Sequence, residues 1–562
     1  MRLFQSRACL SFAAALMAGV AAATLAAAQT AAPEFDAGRL SDHMRILSDD
    51  SFEGRGVATA GETKTVDYLS RAFAEAGFEP GGDLQADGAR AWTQGVRMNR
   101  FAVSDFQAQL KVGDWTLPLA QGEQVVASTR LPSASGHVMA MDAPLVFVGY
   151  GVKAPERNWD DFKGVDVKGK ILVVLINDAD FEEPALDTFN GEAMTYYGRW
   201  TYKYEEAARQ GAAGVLIVHE TRPASYGWAT VRNSWTSPQF DIERADPASD
   251  RIPFEGWIQR DVAVDLFQRA GLDFEALKVQ ARSRDFQPVT LADASLNVMF
   301  NVDQSSIESH NVVARLPGAT RPDETVLYGG HWDHLGVGTP DENGDGIFNG
   351  AVDNASGIAS LLELARAYGA APRPQRSVVI IGFTAEESGL LGSTYYAANP
   401  LYPLATTVAG VNIDSENVYG RMTAMNLVGY GQSEMDERMT TAIEAQGRQA
   451  QPDGHAASGG FFRSDHFPLA RQGVPMAYAG STGEYRDEPI EERKARSADY
   501  GARRYHQADD EWSPEWDYSG QIENLQIYYS VGRALADSSD WVEWKPGSEF
   551  APARAATADQ RR

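Results

Sequence analysis

Apolar residues recur at helical spacing through "TKTVDYLSRAFAEAGF", residues 63–78, ahead of a Gly/Pro turn, and predict helical structure within residues 39–80. Short strand-like runs follow to about residue 134. The pattern then changes. "APLVFVGYGV" opens a set of short β-runs, "DVKGKILVVLIND" supplies a Gly-bounded apolar strand, and "YKYEEAARQGAAGVLIVHE" reads as an amphipathic helix entering another strand, which together make a small α/β unit. From about residue 292 to 545 strands and helices alternate: "TVLYGGH", a helix from Asn354, "SVVIIGFTAEE", "TVAGVNID", a helix near 433–447 and "VPMAYAG". That alternation predicts an α/β fold with a mostly parallel central sheet sandwiched by helices. The stretch 546–562 lacks any such pattern and is expected to be a disordered tail.

A chain of 562 residues exceeds one ordinary core, so two or more domains are expected. Its 43% apolar and 10% aromatic content suffices for sizeable cores. The net charge of −27 argues against nucleic acid or an anionic membrane as partner, because phosphates must be met by Lys and Arg. At the N-terminus two arginines precede an uncharged, alanine-rich run, and Ala26-Ala27-Ala28 before Gln29 fits a cleavage site. Residues 1–28 therefore read as a signal peptide of a secreted or periplasmic protein with no stable membrane association after cleavage. An uncleaved anchor is the alternative, and the Ala- and Gly-rich composition counts against it. The single cysteine, Cys9, falls in this segment, so any metal in the mature protein rests on His, Asp and Glu.

Three apolar runs end in such residues: "VLYGGHWDH" at His331, "VVIIGFTAEE" at Glu386 and Glu387, and "VAGVNID" at Asp414. Ligands bind beyond the carboxyl ends of strands in open α/β sheets, so these groups can converge. Asp353 immediately precedes the helical "NASGIASLLELARAYG", and His506 lies downstream in "RRYHQADDEW". Adjacent glutamates after an apolar run are hard to read as plain surface, because a carboxylate near a core is costly unless paired or metal-bound.

The loop "PDENGDGIFNGAVDNASG" begins like a calcium loop, with Asp341, Asn343 and Asp345 at the first ligand positions. Its twelfth position is Val352 where an EF-hand needs an acidic residue. The loop is better read as delivering Asp353 to a helix start, with Gly350 easing the backbone and Asn354 and Ser356 as capping types. A loosely held calcium on the three loop residues is the lesser alternative.

The motifs "GGHWDHLG", "NGAVDNASG", "FTAEESGLLGS", "VNIDSE", "FFRSDHFPLARQGVP" and "YHQADDEW" resemble, in order and spacing over residues 295–545, the co-catalytic zinc exopeptidases. That family includes secreted bacterial aminopeptidases, aminopeptidase Y and glutamate carboxypeptidase. "NWDDFKGVDVKGKILVVLIND" and "AARQGAAGVLIVHE" resemble the protease-associated domain often inserted in such enzymes, here over 139–292, which leaves 29–138 and 293–545 to the catalytic domain. "LSDDSFEGRGVATAGETKTVDYL" resembles the family's N-terminal helix region.

The resemblance implies two divalent metal ions, Zn2+ in the family, bridged by Asp353. His331 and Asp414 would complete one, Glu387 and His506 the other. A bridging carboxylate offsets repulsion between two such cations, and bound water ionises near neutral pH. Glu386 would be the general base, and Asp333 and Asp510 would orient His331 and His506. His334, His466 and Asp465 match family positions as packing or pocket-lining residues, and Asp465 is also a candidate for substrate contact.

Several relatives place a tyrosine four residues before the Asp of "SDH", where its hydroxyl meets the oxyanion. Here that residue is Phe461, leaving Tyr485, Tyr505, Arg463 or the metals to take the role. The charged "EYRDEPIEERKARSADYGARR" before His506 is longer than usual and reads as a solvated loop, or as a lid. The function implied is an aminopeptidase acting on peptide N-termini. A carboxypeptidase would need a basic pocket, for which Arg463, Arg471, Arg486, Arg503 and Arg504 are candidates. A glutaminyl cyclase on the same scaffold typically uses one zinc, which the full ligand set and the insert count against. A non-catalytic receptor-like relative would have lost ligands, and none is lost here.

Overall fold

Nearly uninterrupted apolar runs become strands covered on both faces. Ile171–Leu175, Gly214–His219, Arg376–Phe383 and Thr407–Asn412 are buried throughout, as strands of a parallel sheet must be. The computed structural model describes residues 33–454 and 456–561, so the expected signal peptide over 1–28 lies outside them.

These strands belong to one 16-stranded mixed sheet. Arg321–His331 lies between Arg376–Phe383 and Thr407–Asn412, parallel to both, and Thr407–Asn412 is parallel to Met476–Tyr485 beyond it. A second parallel set runs His137–Phe147, Ile171–Leu175, Gly214–His219 and Phe254–Gln259. The 28-residue strand Val289–Leu316 joins the two sets, antiparallel to His137–Phe147 along one part of its length and to Arg376–Phe383 along another. Thr93–Val112 pairs antiparallel with it over most of its length.

The helices Ala37–Leu47, Ala60–Glu75, Gly357–Ala370 and Ser519–Asp537 pack on the first set around Leu40, Met44, Leu69, Ile358, Leu361, Ile380 and Leu525. Two further cores cover the second set, one around Phe147 and Phe267, the other around Tyr204, Trp235 and Trp257. Asp36 and Thr59 cap the first two helices by accepting backbone N–H bonds.

Several expectations need correction. The strand-like runs before residue 134 are chiefly one 20-residue strand, Thr93–Val112, whose mixed burial hides its continuity. Val125–Ser128 pairs antiparallel with Phe254–Gln259, across the boundary expected between residues 138 and 139. The helix expected from Asn354 begins at Gly357, because Asp353 and Asn354 take non-helical angles. Asn354 still caps it, its Oδ1 accepting from Gly357 N at 3.0 Å. The charged stretch before His506 holds an exposed helix, Ile490–Asp499, rather than a loop.

The tail after Lys545 is packed. Phe550 is buried and stacks on Phe461, and a short helix covers Ala551–Ala555. The Arg554 guanidinium, also buried, donates to the carbonyls of Thr407, Val408 and Val542. An aromatic anchor and a buried cation do here what periodicity does elsewhere.

Candidate metal centre

His331 is the last residue of its strand, Glu386 and Glu387 follow the neighbouring strand Arg376–Phe383, and Asp414 follows Thr407–Asn412. All three strands are parallel, so their carboxyl ends open onto one cleft. Asp353 meets them from the irregular turn 351–356, and His506 from a left-handed residue at φ 55°.

His331 Nε2 lies 3.2 Å from Asp353 Oδ1 and 3.4 Å from Asp414 Oδ1. His506 Nε2 lies 3.3 Å from Asp353 Oδ2 and 3.1 Å from Glu387 Oε2. Asp353 thus offers one oxygen to each histidine, as a bridging residue must. Ligand atoms of His331, Asp353 and Asp414 fall within 4.8 Å of one another, as do those of His331, Glu386 and Glu387 and those of His334, Asp353 and Glu387. His334, read from sequence as packing, therefore stands at the second cluster, its Nδ1 2.6 Å from Glu387 Oε1.

The turn that presents Asp353 is held tightly. Gly350 sits at φ 55°, and a Cβ there would fall 2.2 Å from Asp353 O and 2.5 Å from the His334 ring, so only glycine fits. Asp510 does not reach His506. Its carboxylate accepts from Val352 N at 3.0 Å and Asp353 N at 3.1 Å, fixing the backbone that presents Asp353 instead. The group at His506 Nδ1 is Ser234 Oγ, 3.1 Å away. Asp333 orients His331 through its main chain: His331 Nδ1 lies 3.1 Å from Asp333 O, while the Asp333 carboxylate accepts from Glu386 N. Ser464 Oγ donates to Asp414 at 2.6 Å.

Arg55 escaped sequence reading. It is buried and donates to the carbonyls of Leu47, Trp332, Asn349 and Gly350, tying the loops that carry His331 and Asp353. Burial pulls its pKa down to about 10, against the raising effect of Asp510, Asp333, Asp353 and Glu387. Its flanking glycines in "EGRG" are the sole sequence hint.

The electrostatics of the cluster call for cations. Burial, together with the charges of Glu387, Asp414 and Asp465, pushes the Glu386 carboxyl well above the usual carboxylate range. Burial raises Asp333 to about 8, Asp465 to about 7 and Asp510 to about 6. Asp333 Oδ2 and His334 Nε2 are buried without a hydrogen-bond partner, and His334 Nδ1 and Glu387 Oε1 meet only each other. Buried carboxylates and imidazoles left in this way, with a carboxylate shared between two histidines, suit two divalent ions with N/O preference.

The cleft, about 660 Å³, is lined by His331, Asp353, Glu386, Glu387, Asp414 and His506, with Tyr478, Tyr505 and Arg463 beside them. Tyr196, Arg199, Trp200, Tyr226 and Ser234, all within residues 139–292, supply the opposite wall. Burial keeps Tyr478 and Tyr505 protonated, and the Tyr505 ring lies over His506 at 4.1 Å. Tyr478 was not singled out in the sequence, although it stands one strand away from Asp414.

Other expectations shift. Tyr485 and Asp465 are buried and do not line the cleft, and both Asp465 carboxylate oxygens lack a hydrogen-bond partner. His466 packs between Phe461 and Tyr478. Phe461 lies in a cluster with Phe467 and Phe550, packed behind the lining residues Phe462 and Phe467 and not itself lining the cleft. Arg486 pairs with Glu523, and Arg503 and Arg504 pair with Asp499, so of the basic candidates Arg463 and Arg471 alone reach the cleft. Arg199 was missed. It is 9% exposed, its Nε has no partner, and among the described residues no carboxylate pairs with it. Asp341 accepts from the backbone of Asn343 and Asp345, closing its loop as a self-satisfied turn.

The family description "Peptidase family M28" matches residues 311–530. Aminopeptidase NAALADL1 of Rattus norvegicus is 38% identical over 331 residues, covering 48% of this chain and 38% of the relative. A probable zinc metalloprotease of Pyrenophora teres f. teres (strain 0-1) is 41% identical over 103 residues, 18% of this chain and 22% of the relative. The matches thus span well under half of these relatives. Among solved structures, the aminopeptidase from Aneurinibacillus sp. strain AM-1 aligns with a TM-score of 0.53 at 19% identity, over 91% of this chain and 95% of that one, and shares the fold. With His331, Glu386, Glu387 and Asp414 at or beyond strand ends and Asp353 and His506 brought to them by irregular turns, the whole cluster lies within residues 311–530, the stretch that matches peptidase family M28.

Proposed function

We propose that the protein is a metal-dependent exopeptidase, and within that class an aminopeptidase removing N-terminal residues from peptides. The observation that carries the reading is the convergence of His331, Asp353, Glu387, Asp414 and His506, with Asp353 facing both histidines. His331, Asp353 and Asp414 would hold one ion, and Asp353, Glu387 and His506 the other. Two bound divalent ions would supply an ionised water at neutral pH and polarise the scissile carbonyl.

The chain's own groups do the rest. Glu386 lines the cleft beside the ligands, able to take a proton from water and return it to the leaving amine. Asp333 fixes it by accepting from its backbone N–H. Tyr478 and Tyr505 are protonated phenols in the cleft, the donors available to a developing oxyanion where the family's tyrosine is replaced by Phe461. The substrate's α-ammonium would lie against Asp414. The similar rat protein, Aminopeptidase NAALADL1, is described as an aminopeptidase, which supports this polarity.

A second reading, a carboxypeptidase, draws on Arg199 and Arg463. Both line the cleft without a carboxylate partner among the described residues. Arg463 is held by Ala224 O and Ser225 Oγ over the Tyr226 ring. The discriminating experiment incubates the protein with aminoacyl-p-nitroanilides and with N-blocked dipeptides, before and after chelation. Chelator-sensitive cleavage of the anilides is expected; cleavage of the blocked set alone would reverse the assignment.

Peptide substrates follow from the family, and export follows from the signal-like residues 1–28. Among the described residues no helix is long and apolar enough to cross a membrane. Mass spectrometry of protein recovered outside the cytoplasm should find an N-terminus near Gln29, and an intact Met1 there would overturn export by cleavage.

A further inference from the structure

We infer that Ser234, on the helix Trp228–Thr236 of the insert, is a positioning residue for His506, so that one of the two metal sites depends on a segment outside the family-matched stretch. The inference rests on the two-ion reading above. It starts from an asymmetry between the two histidines.

A neutral imidazole that ligates through Nε2 carries its proton on Nδ1, and whatever meets that proton sets the tautomer and the ring plane. His331 finds its partner within its own segment, the carbonyl of Asp333 two residues on. His506 does not. Asp510, the carboxylate expected to serve it, is occupied by the N–H groups of Val352 and Asp353. The atom at His506 Nδ1 is Ser234 Oγ at 3.1 Å, 272 positions away in sequence.

The neighbouring residue of the same helix grips the main chain. Asn233 Nδ2 donates to His506 O at 3.0 Å. This second hold has a clear purpose, because His506 sits at φ 55°, a conformation that costs a non-glycine residue energy and persists only where surroundings enforce it. The helix is itself anchored. Val231 and Trp235 are buried, Trp235 packs against Trp200 and Tyr204, and Gln239 Nε2 donates to the carbonyls of Ser234 and Ser237. Ring plane, tautomer and backbone of His506 are thus referred to the helix Trp228–Thr236, with the Tyr505 ring tilted against the imidazole at 4.1 Å.

The test titrates metal-free wild type, Ser234→Ala and Ser234→Thr with Co2+, following its visible absorption, and measures each affinity by chelator competition. Wild type should take up two ions. Ser234→Ala should keep one at wild-type affinity and bind the other about tenfold to a hundredfold more weakly. Ser234→Thr, which retains the hydroxyl, should recover most of the loss, which a merely structural role would not produce. Unchanged affinity in Ser234→Ala, equal weakening of both ions, or failure of threonine to rescue would each overturn the inference. Two ions bound by a wild type that cleaves no peptide would sink the peptidase reading and leave this one standing, and fewer than two ions in active wild type would sink this one alone.

Discussion

Arg55→Met tests how the floor of the metal centre is held. Arg55 donates to four main-chain oxygens, of Leu47, Trp332, Asn349 and Gly350, at 2.6–2.8 Å. Methionine preserves much of the stem's bulk and removes every donor. Each buried acceptor so abandoned costs about 1 kcal/mol or somewhat more, so four give roughly 4–6 kcal/mol. Releasing a guanidinium from a site where burial already lowers its pKa to about 10 returns part of this. A net loss of about 2–4 kcal/mol is expected. The assay is urea unfolding followed by tryptophan fluorescence, on metal-free protein so that bound ions do not mask the change. Arg55→Lys should recover only part, because three donors on a point charge cannot span four carbonyls. A loss below about 1 kcal/mol in Arg55→Met would refute the reasoning, showing that water or neighbouring groups satisfy those oxygens.

Glu386→Gln should retain both metal ions by elemental analysis while kcat falls about 10²–10⁴-fold, and unchanged turnover would remove Glu386 from the proton path. Asp333, Asp465 and Asp510 bind protons more tightly folded than unfolded, so metal-free protein should lose stability as pH rises from about 4 to 8, through their raised values of about 6 to 8. Denaturant midpoints at pH 5 and 8, with and without Zn2+, check this: the fall should flatten when metal is present, and a metal-free protein steadier at pH 8 would contradict the sign. Phe461→Tyr places a hydroxyl in the Phe467–Phe550 cluster and should destabilise by about 1–3 kcal/mol without raising kcat. A clear gain in kcat would show that this side chain reaches the cleft.

The parts legible in the sequence are those that local chemistry announces. Fully buried parallel strands read as apolar runs, so the ends carrying His331, Glu386, Glu387 and Asp414 could be located without coordinates. Asp353 and His506 were legible through motif context, since neither ends a strand. What stayed hidden depends on contacts between distant positions. The partners of His506 and of the Asp510 carboxylate are set by packing, and "VRNSWTSPQF" carries no periodic signal for Ser234. Arg55 and Arg554 are buried cations bound to carbonyls, an arrangement that composition rules place on the surface. The strand Thr93–Val112 was broken into pieces because its partly exposed residues interrupt the apolar alternation.

The strand Val289–Leu316 bears on what can reach the catalytic groups. Domains strung on flexible linkers swing apart, but here the wall and the floor of the cleft share one continuous hydrogen-bonded ladder. Separating the two sets of strands would mean tearing backbone pairing, so the frame that carries wall and floor is settled when the chain folds. On the exopeptidase reading proposed above, a mouth held on such a frame would admit the loose end of an extended peptide and turn away the surface of a folded protein.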